Sequence, residues 1–591
     1  MFFADLVNIL QWWTTILVIG LIFTPITSFI FSNFFDKGYI FTKIISIAFI
    51  SYTVFVLGFL KILPFTNLTI ISSALGFLIL NIVLIFKYPN LLISLRRSWK
   101  IFFFEEILFL GILFFWSYIH AHQPDIHGLE KYMDYGFINS ILRAKYFPPA
   151  DMWFTPSPIN YYYFGHLTTA VLTKLSFLSS SITFNLMLAT ISALSFTSAF
   201  SIGANLLFKL NVTRYMLYAG GLISAFILNF AGNLHTIYLF FKPYANENPL
   251  PFWQLIFSPI TFPNNYWYPN ATRFIHNTIH EFPIYSYVVS DLHGHVLDIP
   301  FVLLTIAVLL SIFLKIENLK LKIPLISFLL AVMYMTNAWD GIIYFILAIF
   351  IVLYLNAKSK ALVIDKKSIK YYVLSIVRNK VYILHTTYYI LLLGIGFFLF
   401  SLPFNLNFKP FASGIGILCA PKFLLDLGKF GPFLFEPNHC QHSPLWQLFI
   451  LYGFFYFWIV SFIIFLFKNL KLKIKNLSIS DVFVLILIIL STLLIILPEI
   501  IYVKDIYPAH YRANTMFKLV YQAFILLSIS SGYIIVRLFL NLKSLILNPY
   551  LKLGYWVIGL LMLFLVLLYS YFAINSYFGN LKVYSGLNGM N

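Results

Sequence analysis

Glu130 and Asp134 lie four residues apart in the run His127-Gly128-Leu129-Glu130-Lys131-Tyr132-Met133-Asp134-Tyr135-Gly136-Phe137-Ile138-Asn139-Ser140-Ile141-Leu142-Arg143. Leu129, Met133, Phe137 and Ile141 recur at helical spacing. That pattern predicts a helix along a membrane surface, with both carboxylates on one face. Two like charges held so close call for a metal, a cation or a proton between them. A carboxylate so placed can also remove a proton from a hydroxyl nucleophile. Glu130 and Asp134 are therefore the candidate catalytic residues. A solvated helix face is the plainer alternative.

A second group comprises Arg273, His276, His280 and Glu281, followed by Asp291, His293 and His295. In an extended segment Asp291, His293 and His295 point the same way and offer a carboxylate and two imidazoles. Such a set suits a divalent metal, Mg²⁺ or Mn²⁺ more than Zn²⁺. In a helix the three diverge and the metal reading fails. Phosphate or sugar binding and structural hydrogen bonding are the alternatives. The planar fork of Arg273 suits a phosphate. A further group holds Glu499, Lys504, Asp505, His510, Arg512, Asn514 and Lys518. Arg512 and Lys518 suit a lipid phosphate, or they pair with Glu499 and Asp505. Cys419 and Cys440, flanked by His439 and His442, could form a disulfide or share a metal.

The elements that must position these residues are membrane helices. Hydrophobic residues make up 61% and charged residues 10% of the chain, with mean hydropathy +0.88. A soluble domain carries roughly 25% charged residues, so a soluble fold is excluded. Stretches near the roughly 20 residues needed to span hydrocarbon recur. They lie near 9–31, 39–61, 68–86, 102–120, 161–179, 183–208, 215–240, 296–315, 322–337, 339–356, 381–402, 444–468, 480–498, 517–539 and 554–575. β-barrel alternation is absent. The expectation is an all-α polytopic transmembrane bundle of about 14 to 16 spans, with interfacial helices in outer loops. Segment 161–179, with its threonines and Lys174, is expected to be re-entrant or interfacial.

The formal charge of +19 sits in connectors such as Arg96–Lys100, 358–380 and 468–475, as cytoplasmic loops require. This distribution argues against nucleic acid as a partner and for the lipid bilayer. It places every histidine but His385, and most carboxylates, at the outer face. No basic n-region with a small-residue cleavage site marks a removable signal peptide. No Gly-rich nucleotide loop suggests an ATP-driven pump, and no repeat of 20–50 residues is evident.

After Pro148, Pro149, Pro156 and Pro158 comes Asn160-Tyr161-Tyr162-Tyr163-Phe164-Gly165-His166. With Glu130-Lys131, Met133-Asp134, Glu281-Phe282-Pro283, Asp291-Leu292-His293, His295 and Arg512-Ala513-Asn514-Thr515 with Lys518, this run resembles the YYY-domain family of multi-pass membrane proteins. Gly294 stands where that family is expected to have proline, and Ser290 also departs from the pattern. More distantly the plan resembles the GT-C glycosyltransferase fold. That resemblance implies a core over 101–540, added N-terminal helices over 1–100, and a last helix and tail over 541–591. It also implies an enzyme of the plasma membrane that moves a sugar from a polyprenyl-phosphate donor to a glycan, lipid or protein acceptor on the outer face. Glu130 or Asp134 would be the base or hold a metal. Arg512, Lys518 and Arg273 would bind the donor phosphate. Tyr161, Tyr162, Tyr163, His166 and Glu281 would line the substrate pocket. A transporter or flippase of lipid-linked saccharides, and a structural partner in envelope assembly, are the other classes the sequence allows.

Overall fold

The computed structural model describes residues 2–241, 243–244, 248–264, 266–361, 380–470, 477–541 and 548–590. Long apolar runs close into helices because a backbone in hydrocarbon must satisfy its own N–H and C=O groups. In chain order the principal helices are α1 (Phe2–Ile30), α2 (Phe41–Phe59), α3 (Asn67–Lys87), α4 (Trp99–His120), α5 (Lys131–Arg143), α6 (Phe164–Ser176), α7 (Ser180–Phe208) and α8 (Arg214–Phe230). They continue as α9 (Gly294–Leu297), α10 (Ile299–Leu314), α11 (Leu319–Thr336), α12 (Ala338–Ala361), α13 (Lys380–Asn405), α14 (Leu445–Leu470), α15 (Ile479–Ile496), α16 (Ala513–Asn541) and α17 (Pro549–Tyr577).

Among the described residues, 13 helices are long and apolar enough to cross a membrane, α9 and α10 counting as one. The expected span over 215–240 is broken. α8 ends at Phe230, and a 3-10 turn, Leu234–Phe240, leaves it at 67°, so the pair makes at most one more span. The total of 13 or 14 meets the lower end of the sequence expectation. The stretch 161–179 contracts to α6, whose 13 residues are too few to span. Its first ten residues, Phe164–Thr173, are buried.

α7 and α10 form the centre, buried along nearly their whole length. α7 packs on α4, α8 and α10, and α16 packs on α8 and α15. α3, α13 and α17 expose long apolar faces, as outer helices in contact with lipid do. Polar contacts lock the first helices to this centre. The Trp12 indole donates to Thr190 at 2.7 Å. Asp36 accepts from the Ser201 hydroxyl and from the Asn205 amide. Glu106 accepts from Lys43 at 2.5 Å and from Tyr39 and Trp13 at 2.7 Å.

A small four-stranded sheet stands outside the helices. Its strands are β1 (Gly414–Ile417), β2 (Lys429–Phe430), β3 (Phe433–Leu434) and β4 (Ile501–Lys504), in the order β2-β3-β1-β4. β1 runs antiparallel to β4, which ties the α13–α14 connection to the α15–α16 connection. Cys419 and Cys440 are joined as a disulfide beside it. The bond consumes both sulfurs, so the alternative of a shared metal with His439 and His442 fails.

Candidate functional site

The site is built around His293, at the end of a loop that enters α9. Its Nδ1 lies 2.9 Å from Glu130 Oε2 and 3.5 Å from Asp134 Oδ1. Its Nε2 lies 2.7 Å from the Tyr161 hydroxyl. Asp134 Oδ1 also lies 2.9 Å from His166 Nε2. Three segments distant in sequence thus meet at one imidazole. The Phe137 ring packs on both Tyr161 and His166 and fixes their approach.

Local structure explains these positions and corrects several expectations. Leu129 and Gly128 adopt positive φ, so the chain turns before α5 begins. Glu130 is therefore the residue that caps α5 rather than a member of it. The helix does not float along a surface, because Phe137, Ile138 and Ile141 are buried and it packs on α6 and α7. The two carboxylates differ sharply in setting: the Glu130 side chain is 57% exposed and that of Asp134 is 0% exposed. α6 starts at Phe164 and carries His166 inward. Gly165 is needed there, since a Cβ would come within 2.8 Å of Leu297 and Thr336.

Of the three tyrosines, Tyr161 alone contacts His293. Tyr162 packs on Phe408 and Phe411, and Tyr163 is buried against Phe55 and Phe404. The segment 291–295 is not extended throughout, because α9 begins at Gly294. Consequently His295 turns away, with Nε2 3.4 Å from the Ser286 hydroxyl and its ring against Phe517 and Tyr521. Asp134 takes its place in the cluster. Ligand atoms of Asp134, Asp291 and His293 all lie within 4.8 Å of one another. Asp134 Oδ2 and Asp291 Oδ1 are without hydrogen-bond partners among the described residues. Two carboxylates and one imidazole fit a hard divalent cation such as Mg²⁺ or Mn²⁺.

The cations divide. Lys518 lies over the Phe517 ring at 4.9 Å and is within electrostatic reach of Glu130, Asp291, Glu281 and Asp340. Arg512, only 1% exposed, is instead held by Glu499 at 2.8 Å and bonds the Ser443 hydroxyl at 3.2 Å. Arg273 is held by Glu281 at 2.7 Å and by the Thr272 hydroxyl at 2.9 Å. Both guanidinium groups thus have protein carboxylates where a donor phosphate was expected.

The electrostatics follow from this geometry. The bond from His293 lowers the carboxyl of Glu130 from its ordinary value. Burial opposes the charge on Asp134, but the His293 cation and the bonds from His166 and His293 overcome it and hold that carboxyl at about 2. Burial also opposes the charge on His293, yet Asp134 and Glu130 raise it to about 10. Asp291 has no such bonds, and burial pushes it up to about 7.

Sequence reasoning passed over Lys131 and the buried pair Asp298 and Asp340. Asp298 and Asp340 are carboxylates inside apolar stretches, which is a signal in its own right. Lys131 gave only its place beside Glu130 in the Glu130-Lys131 motif.

A family model described as uncharacterized membrane protein (DUF2298) matches residues 49–480 and 465–527. The match begins inside α2 and includes every residue of the cluster around His293. No curated protein and no solved structure matches the chain.

Proposed function

The chain belongs to the family of uncharacterized membrane proteins (DUF2298), and from that premise and the site's geometry we propose that it is a membrane-embedded glycosyltransferase. It would use a polyprenyl-phosphate sugar donor at the outer face of the plasma membrane. The observation that carries this reading is the meeting of Glu130, Asp134, Tyr161, His166, Asp291 and His293 at one end of the bundle. The likeness to the YYY-domain family and to the GT-C plan supports it further. The positive-inside pattern supports the outward orientation.

In this mechanism the acceptor hydroxyl oxygen attacks C1 of the sugar. The bond from C1 to the phosphate oxygen breaks, and its electron pair leaves with the polyprenyl phosphate. Glu130, the most exposed carboxylate of the group, takes the hydroxyl proton. His293 and Tyr161 hold Glu130 in position through the Nδ1 and Nε2 contacts. Lys518 draws the anionic phosphate toward the site. Asp134 and Asp291, with His293 once it has given up a proton, would hold a Mg²⁺ or Mn²⁺ ion, which when bound would neutralise phosphate charge.

The test uses the purified full chain in lipid nanodiscs. Native mass spectrometry should find a polyprenyl-phosphate-linked saccharide bound. A labelled donor of that class should lose its sugar on incubation. Glu130→Gln should keep the lipid and slow sugar release by about 10²–10⁴-fold. Absence of both bound lipid and turnover overturns the reading, and full turnover in Glu130→Gln overturns the assignment of the base.

A further inference from the structure

At the N-terminal end of α5 a cavity of about 420 Å³ opens beside the site, walled by Asp125, His127, Lys131, Tyr132, Tyr577 and Met590 among others. Lys131 is only 2% exposed. Its ammonium forms no ion pair within 4 Å among the described residues. Instead it donates to two neutral oxygens, the Asp125 carbonyl at 3.3 Å and the Tyr577 hydroxyl at 3.0 Å. An ammonium has three N–H donors, so one is left over.

Asp291 and Asp125 attract this cation only from beyond ion-pair distance, and an anion on its spare N–H would add the direct partner that a buried charge lacks here. One further feature of the cavity points the same way. Glu130 makes no side-chain cap on α5, so the first amides of that helix add positive potential to the wall. Asp125 lines the wall too, and its carboxylate would repel an anion but accept from hydroxyl groups. A ligand is thereby oriented, with its anion toward Lys131 and its hydroxyls toward Asp125. The Tyr132 and Tyr577 rings supply apolar faces between them.

We propose that this cavity binds a hydroxylated acid, its carboxylate or phosphate on Lys131 and its hydroxyl groups on Asp125. The ligand is either a free sugar acid or sugar phosphate, or a lipid headgroup of the same chemistry. Lys131 follows Glu130 directly in the chain, and Asp291 attracts it electrostatically, so the ligand lies next to the carboxylate cluster. Its role as the acceptor rests on the transferase reading. The anion site does not.

The full chain in nanodiscs of phosphatidylcholine tests this without any activity assay. Glucuronate should raise the melting temperature, inorganic phosphate should compete with it, and glucose, which lacks the anion, should do little. Lys131→Met, which keeps the length and removes the charge, should weaken glucuronate binding at least about tenfold, as loss of a charge-assisted contact does. If that variant does not fold, acetylation of Lys131 in the wild type gives the same answer by peptide mass spectrometry, with glucuronate protecting the amine. Loss of the glucuronate effect in phosphatidylglycerol nanodiscs, with Lys131 protected from acetylation by that lipid alone, assigns the anion to the headgroup. Equal responses to glucose and glucuronate, or an acetylation rate that glucuronate leaves unchanged, overturn the proposal. Glucuronate binding without release of sugar from the labelled donor counts against the transferase reading alone, and sugar release without glucuronate binding counts against the anion site alone.

Discussion

Asp291 and Asp134 approach the same imidazole, yet they stand in opposite energetic positions. Asp134 has His166 and His293 as partners and ionises easily, whereas Asp291 keeps its proton up to about pH 7. An unfolded aspartate keeps its proton only to about pH 3.9. Between those values the folded chain binds more protons than the unfolded chain, so Asp291 lowers stability as pH rises and its cost levels off above about 7. Asp291→Asn cannot ionise. The variant should therefore lose less melting temperature than the wild type between about pH 5 and about pH 8. A parallel pH dependence in both proteins would show that the burial of Asp291 is not what opposes its charge. The contrast also marks how far residue types alone could lead. Glu130, Asp134, Asp291 and His293 were recognisable as carboxylates and an imidazole spaced for chemistry, and His166 through the likeness to the YYY-domain family. The pairing of Arg512 with Glu499 was one of two alternatives the residue types left open, whereas the turning away of His295 depends on where a backbone turn falls, which side-chain types do not encode.

The turn at Gly294 shows the same dependence at the level of elements. A Cβ there would sit 2.4 Å from the carbonyl oxygen of Thr336, so α9 reaches α11 only because residue 294 has no side chain. Gly294→Ala should push α9 off α11 and lower stability by about 1–3 kcal/mol, measured by thermal melting in nanodiscs. An unchanged melt would mean that the contact relaxes freely. This also explains how the departure from the expected proline fits this chain, since proline too carries a Cβ. The sheet lobe makes a second test. The Cys419–Cys440 bond closes a segment 21 residues long, a restraint worth about 3 kcal/mol in the chain-entropy model. Reduction should speed proteolysis between 406 and 443, by on the order of 100-fold at most, and leave the helices intact. No acceleration would show that β1 and β4 hold the lobe unaided. The strands themselves were not legible beforehand, because segments of two to four residues carry no periodicity to read.

For the whole molecule, hydropathy made the bundle legible almost throughout, because lipid demands closed helices of fixed length. It misjudged 215–240, where apolar character continues across a 67° break. Convergence of the site also sets the topology: loops that meet at His293 must share a side of the membrane. Single cysteines at the exposed positions Leu129, Phe257 and Tyr507, in a chain lacking Cys419 and Cys440, should all react with an impermeant maleimide from outside intact cells. One at exposed Trp99 should react only after permeabilisation. Protection of Leu129 together with labelling of Trp99 would invert the orientation.

α6 has a further consequence for how the chain is made. At 13 residues and about 20 Å it is too short to settle across lipid by itself. In the finished protein it is enclosed by α1, α2, α3, α5, α7, α9 and α11. Five of those helices precede it or follow it directly, but α9 and α11 are synthesised more than a hundred residues later. Until they arrive, the Gly165 side of α6 lacks the neighbours Leu297 and Thr336 that later close on it. The seat of α6 is thus completed by sequence the ribosome has not yet read when this helix enters the membrane, although Asp134 and Phe137, already made, hold the His166 imidazole.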